Sequence, residues 1–134
     1  MVDTKRRAQS ADGYVEDAPG IVVVLSQAGY AGIVSLTGEH DLATRDQIDE
    51  VLGAVFGNVL VDLSDCQFMD STVIVLLIAR AQGLEREGHR LELVVPPSNV
   101  QMMRVVDVVG LRDLVPVHPS APPRSASGMT AAGA

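Results

Sequence analysis

A chain of 134 residues with 47% hydrophobic side chains is long enough for one domain with a substantial core and too short for two of ordinary size. It carries 10 cationic against 17 acidic side chains, a net charge of -7, and residues 21–118 alone hold thirteen acids and six Arg. A nucleic-acid surface needs clustered cations and aromatic platforms, and the composition offers neither.

Twenty-one valines against four aromatic residues (Tyr14, Tyr30, Phe56, Phe68) point to a β-branched, aliphatic core. Lys5 is the only lysine, which removes a P-loop phosphate clamp and Schiff-base chemistry from the domain. Cys66 stands alone, so no intramolecular disulfide or multi-Cys zinc site is expected. The longest apolar run, residues 73–79, is far shorter than the roughly 20 residues of a membrane helix, and no apolar leader segment is visible. The expectation is a soluble cytoplasmic protein with no membrane partner.

Residues 1–19 mix charge, Ser, Asp and Gly without periodicity and are expected to be a flexible tail. Residues 21–26 and 31–37 read as β-branched strands around the turn Gln27-Ala28-Gly29-Tyr30. Thr44 and Gln47 have capping-box spacing ahead of a helical stripe, Ile48, Val51, Leu52, Val55 and Phe56, with Gly57 as its stop. Residues 58–63 form a short apolar run suited to a central strand, and 64–69 are expected to be loop.

A second helix is expected from near Asp70 to about Glu87, with Gly88 just past its end. Its stretch from Val73 to Ala79 is apolar all round, more than a sheet-covering helix needs, and the surplus is expected to be covered by a neighbouring helix. Residues 90–95 read as a strand closed by Pro96-Pro97. Ser98 with Gln101 is a second capping box before Met102, Val105, Val106 and Val109, ending at Gly110, and residues 114–117 make a last strand. Residues 119–134, small and Pro-rich, are expected to be a second flexible tail. The alternation predicts one α/β domain over 20–118, a mixed sheet of four to five strands covered by helices.

Three groups of residues are candidates for chemistry. Glu39-His40-Asp41 follows a strand, but neighbours in sequence seldom converge on one centre and no second His stands at ligand spacing. A polar turn is the better account. Asp62 and Asp65 follow the central strand, where a receiver module or a small α/β enzyme would place its acid. An acidic pair on an earlier strand and a Lys are both missing, so a solvated loop is preferred. Asp70-Ser71-Thr72 opens the second helix. All three are good N-terminal capping types, and a hydroxyl there is also presented where N–H groups and the helix dipole favour an added phosphate. No base lies at motif distance, since His89 and His118 are remote in sequence, so a serine hydrolase is not supported.

The segments resemble the STAS domain, the module shared by sulfate transporters and anti-sigma factor antagonists. The resemblance rests on Gly38-Glu39-His40-Asp41, on residues 59–64 (VLVDLS), on residues 66–72 (CQFMDST), and on Val109-Gly110-Leu111 followed by Leu114 and Val117. It implies a binding protein and not an enzyme, without cofactor or metal. Antagonists of this family bind an anti-sigma factor, a serine kinase of the histidine-kinase-like ATPase fold, and so release a sigma factor. The kinase phosphorylates the Ser of the Asp-Ser motif and a phosphatase reverses it. By position that Ser is Ser71, with Thr72 as the alternative acceptor, and the partner surface is Glu39, His40, Asp41, Asp70, Ser71, Thr72 and Val73. Two residues depart from the pattern. Val73 replaces the usual Gly and is expected to hinder close approach of a kinase, and His40 replaces an apolar residue. A STAS scaffold that binds without being phosphorylated is the other reading of the same resemblance. Cys66, beside the motif, is a possible redox handle but more often an inert thiol.

Overall fold

The valine-rich runs become strands of one mixed sheet. The structure, a computed structural model, describes residues 8–9 and 14–122. In chain order the elements are β1 (Ala8–Gln9), β2 (Tyr14–Ala18), β3 (Ile21–Gln27), β4 (Tyr30–Leu36), β5 (Gly38–His40), α1 (Leu42–Gly53), β6 (Val59–Asp62), β7 (Cys66–Met69), α2 (Ser71–Arg86), β8 (Leu91–Val94), α3 (Val100–Val109), a 3-10 turn at Leu111–Asp113 and β9 (Val117–His118).

The main sheet has the order β1-β2-β3-β4-β6-β8-β9, antiparallel as far as β4 and parallel from β4 to β9. The five strands from Ile21 onward match the expected mixed sheet. Two more extend it at the N-terminal edge, because Tyr14–Ala18, expected to be part of a tail, pairs antiparallel with β3. Most of the expected C-terminal tail, residues 123–134, lies outside the described residues.

The parallel strands follow one another across the sheet in chain order without reversal. Right-handed crossovers then place α1, α2 and α3 on the same face. There they share one core with the alternate strand residues Val34, Leu36, Val59, Val61, Leu91 and Leu93. β6 is paired on both edges, and its Val59, Leu60 and Val61 are buried on both faces, which is why its sequence reads as a continuous apolar run. A sheet wound in one direction has no topological switch point, so the crevice that holds ligands in doubly wound folds is missing from this architecture.

Several boundaries differ from the sequence reading. Residues 66–69 are not loop: β7 pairs parallel with β5 in a separate two-stranded ladder. α1 begins at Leu42, capped by the Asp41 carboxylate, which accepts from Ala43 N–H at 2.9 Å, so Thr44 lies inside the helix and not at its cap. α1 also ends at Gly53, and Phe56, expected on its apolar stripe, is 87% exposed. α3 is capped by Asn99, one residue after the expected Ser98. Residues 111–113 form the 3-10 turn, which displaces the last strand to Val117–His118.

The end of α2 follows expectation. Gly88 takes φ +84°, its N–H meets Glu85 O at 3.1 Å, and His89 N–H meets Leu84 O at 2.8 Å, the paired bonds of a Schellman motif. The apolar surplus of α2 is covered as expected: Val73, Ile74, Leu76 and Leu77 are buried, and Arg80 reaches Asp49 of α1 at 2.8 Å. Val75, at 62%, and Ala79 are the exposed residues of that stretch.

Candidate functional site

The β5–β7 ladder sits beyond the C-terminal ends of β4 and β6 and organises the first turn of α2. Gly38 N–H donates to Asp65 O at 3.0 Å, and Asp70 N–H donates to His40 O at 2.9 Å. The first and last residues of β5 thus hold the β6–β7 turn and the α2 cap. Glu39 and Asp41, on either side of His40, are exposed, as is Asp65, while Asp70 is half-buried. The ladder therefore gathers four carboxylates at one pole. The described ion pairs, those of Arg45, Arg80, Arg90, Arg112 and His118, all involve other acids.

Asp70 caps α2. Its Oδ1 accepts from Thr72 N–H at 3.3 Å and from the Ser71 hydroxyl at 3.2 Å. Ser71 is exposed, on the first helical position, with its oxygen open to solvent. The capping role and the presentation of a hydroxyl are both realised.

His40 is 1% exposed. Its Nε2 lies 2.9 Å from Thr37 O and must carry the proton, and its Nδ1 lies 3.1 Å from the Thr44 hydroxyl, which is itself 3.3 Å from Asp41 O. A histidine committed on both nitrogens is neither a metal ligand nor a base for Ser71. Asp62 is likewise engaged: its Oδ1 takes Ser64 N–H at 2.9 Å and the Ser64 hydroxyl at 2.6 Å, an Asx turn and not a phosphoacceptor site. Among the described residues no group of three or more His, Cys, Asp and Glu side chains is placed to hold a metal ion.

Asn99 carries weight that the sequence reading missed. Its Oδ1 caps α3 through Met102 N–H at 3.2 Å, and its Nδ2 donates to Leu63 O, Ser64 O and Cys66 O at 3.0, 3.2 and 2.8 Å. One side chain thus pins the β6–β7 turn against α3. The available signal was the strong N-cap preference of Asn, directly after the expected Ser98.

The family model described as Mlab, STAS domain matches residues 23–116. The chain belongs to the STAS domain family. Its fold is similar to the crystal structure of an anti-sigma factor antagonist from Mycobacterium paratuberculosis, with a TM-score of 0.65 and 23% identity over 84% of this chain and 91% of that one. It is also similar to the anti-sigma factor antagonist SpoIIAA in its unphosphorylated form, with a TM-score of 0.61 and 19% identity over 84% of this chain and 97% of that one. At these identities the likeness establishes the fold. No curated protein sequence matches significantly.

Within this STAS domain two residues of the expected partner surface are buried and a third has its hydroxyl turned inward. His40 is enclosed, with both ring nitrogens bonded within the chain. Val73 is 0% exposed, its side chain in the core below α2, so the branched residue in place of Gly does not obstruct approach to Ser71. Thr72 Oγ1, the expected alternative acceptor, is buried with no hydrogen-bond partner among the described residues, unlike the exposed Ser71. Cys66 is also buried. Loss of solvation pushes its thiol up to about 11, and the Sγ–H donates to Phe68 O at 3.5 Å. Glu39, Asp41 and Ser71 are exposed, and Asp70 and Thr72 are half-buried, among the expected site residues of the STAS domain.

Proposed function

We propose that this STAS domain is an anti-sigma factor antagonist, a non-enzymatic binding protein of the cytoplasm whose partner is a histidine-kinase-like serine kinase and whose switch is phosphorylation of Ser71. The observation that carries this reading is the exposed Ser71 hydroxyl on the first turn of α2, beside an Asp70 cap, with the neighbouring Thr72 hydroxyl closed off. The Ser71 oxygen would attack the γ-phosphorus of ATP, ADP would leave, and the hydroxyl proton would pass to a base of the kinase. A phosphatase would return the hydroxyl by hydrolysis.

The physics of the pole fits a switch that releases a partner without refolding. Phosphate adds about -1.5 to -2 charge at pH 7, and the dipole of α2 stabilises it within the chain. Glu39, Asp41, Asp65 and Asp70 are already negative there, so an interface built on the neutral hydroxyl would acquire an unpaired charge costing several kcal/mol. A second reading, an unphosphorylated STAS scaffold within a larger assembly, is favoured by one observation: the matching family model carries Mlab, and not an antagonist, in its description.

The test is affinity capture with wild-type, Ser71→Ala and Ser71→Asp chains, with and without ATP, read by mass spectrometry. The antagonist reading expects one serine kinase on wild type and Ala but not on Asp, with phosphate on Ser71 of the wild type. Equal capture by all three without phosphate selects the scaffold.

A further inference from the structure

Both phenylalanines of the chain lie outside the core, and one of them is held there by a device. In the β5–β7 ladder Gly38 pairs with Cys66 but Glu39 pairs with Phe68, which leaves Gln67 as an extra residue on β7. Strict alternation would turn Cys66 and Phe68 to the same side. The bulge breaks it: Cys66 and Met69 are buried, while Gln67 and Phe68 both face out, with Phe68 50% exposed. An aromatic ring is thereby displaced from the core three residues before Ser71. Gly38, at φ +82°, supplies the opposite strand's turn in direction at the same step.

Phe68 borders an open hollow whose other walls are Glu39, Gln67 and Gln101, the last from α3. The surface is therefore an aromatic ring beside two glutamines and the Glu39 carboxylate.

We infer that Phe68 is the anchor by which the Ser71 kinase grips this chain, and that the kinase offers an apolar slot bordered by Lys or Arg. This rests on the antagonist reading and adds to it the residue that sets affinity. Charge complementarity selects the occupant: Glu39 borders the ring, Asp65 stands beside the same β7 strand and the chain carries a net charge of -7, so a second copy of this acidic chain is repelled and a cationic rim is attracted. Aromatic side chains that fill such slots are characteristic dominant contacts of protein interfaces. The carboxylates would steer the kinase onto the pole, Phe68 would hold it, and phosphate on Ser71 would release it.

The purified kinase identified with the Ser71→Ala bait is titrated by calorimetry against full-length wild type, Phe68→Ala, Phe68→Lys and, as an exposed-ring control, Phe56→Ala. Both Phe68 variants are expected to weaken Kd about thirtyfold or more, and Phe56→Ala by less than about twofold. At saturating kinase the rate of Ser71 phosphorylation in Phe68→Ala is expected to stay within about twofold of wild type, because the anchor acts on binding. Phe68→Lys keeps an aliphatic stem over the ladder and guards against loss of fold, with thermal midpoints read for all variants. Phe68→Ala and Phe68→Lys binding as tightly as wild type would overturn the anchor alone. Failure of wild type to bind any such kinase would overturn the antagonist reading, and the anchor with it.

Discussion

Two polar clusters on this sheet are assembled in opposite ways. On the face without helices, one carboxylate takes three partners. Tyr30 donates to Glu92 Oε1 at 2.6 Å, His118 Nε2 lies 2.8 Å from the same oxygen, and Arg90 lies 3.5 Å from Oε2. Burial alone would raise the Glu92 pKa, but the hydrogen bonds from Tyr30 and His118 with the charges of His118 and Arg90 outweigh it and hold it below its ordinary value. The Tyr30 hydroxyl, desolvated and facing that carboxylate, is pushed up to about 12. Above it Ile33, Leu60 and Val94 are sealed with the Tyr30 ring packed against them. At the Ser71 pole Asp41 and Asp70 cap helices, Glu39 and Asp65 are exposed, and none of the four belongs to a described ion pair. Polar groups that satisfy one another stabilise a fold; groups left facing solvent with the same sign are available to a partner.

The sharpest way to break this contrast is Ser71→Asp. It is expected to weaken kinase binding about a hundredfold or more while leaving the thermal midpoint unchanged or slightly raised, since an acid in the first turn of α2 meets the dipole favourably. A comparable loss of stability in Ser71→Asp would mean the pole is structural after all.

Next in size is Asn99→Ala. Three contacts from Nδ2 that join α3 to the β6–β7 turn disappear together with the Oδ1 cap of α3, and an unfolding free energy lower by about 2–3 kcal/mol is expected in urea titration. Amide exchange should rise first in β7 and at the start of α2, since that turn leads directly into both.

The Tyr30–Glu92 pair predicts a pH dependence with two limbs. Glu92 is depressed in the folded state, so its contribution is present above the ordinary carboxylate pKa and is lost as pH falls through the folded value. Tyr30 is raised from 10.0 to about 12, so its contribution is whole below the former and lost as pH rises towards the latter. Tyr30→Phe should cost about 1 kcal/mol at neutral pH and flatten the alkaline limb, and Glu92→Gln should flatten the acid limb, both followed by thermal melts across pH. Unchanged limbs would show that the cluster is ornamental.

The smallest expected effect lies in the β3–β4 hairpin. Its two-residue turn, Ala28-Gly29, has φ +57° and +85°, a conformation that suits Asn-Gly. Ala28→Asn is expected to raise the unfolding free energy by about 0.5–1 kcal/mol without affecting the Ser71 pole, a check that the two regions are energetically independent.

Much of this was readable from the residues in order. β6 and α2 followed from an unbroken apolar run and a capped helical pattern, and Gly88 ended α2 as its type and position suggested. Asp70-Ser71 was likewise visible, because a cap and its first-turn hydroxyl are a local arrangement. The ladder strand β7 was not. Cys66, Gln67, Phe68 and Met69 have no alternation of their own, since the bulge exists only through pairing with β5, some thirty residues earlier. His40 reads as a polar turn residue and is a buried one, because its partners Thr37 and Thr44 and the Asp70 N–H on its carbonyl come together only when β5 lies between α1 and α2.

The sequence by itself determined a single α/β domain, its helices and main strands, an aliphatic core and the Asp-Ser cap, since propensity, periodicity and capping act over a few residues. Tertiary structure alone decided that all three helices share one face, that Val73 and Thr72 Oγ1 turn inward while Ser71 turns outward, and that four carboxylates and a displaced Phe68 meet at one pole. Those outcomes depend on strand order and on the register between distant segments, where a shift of one residue reverses which side chains face the solvent.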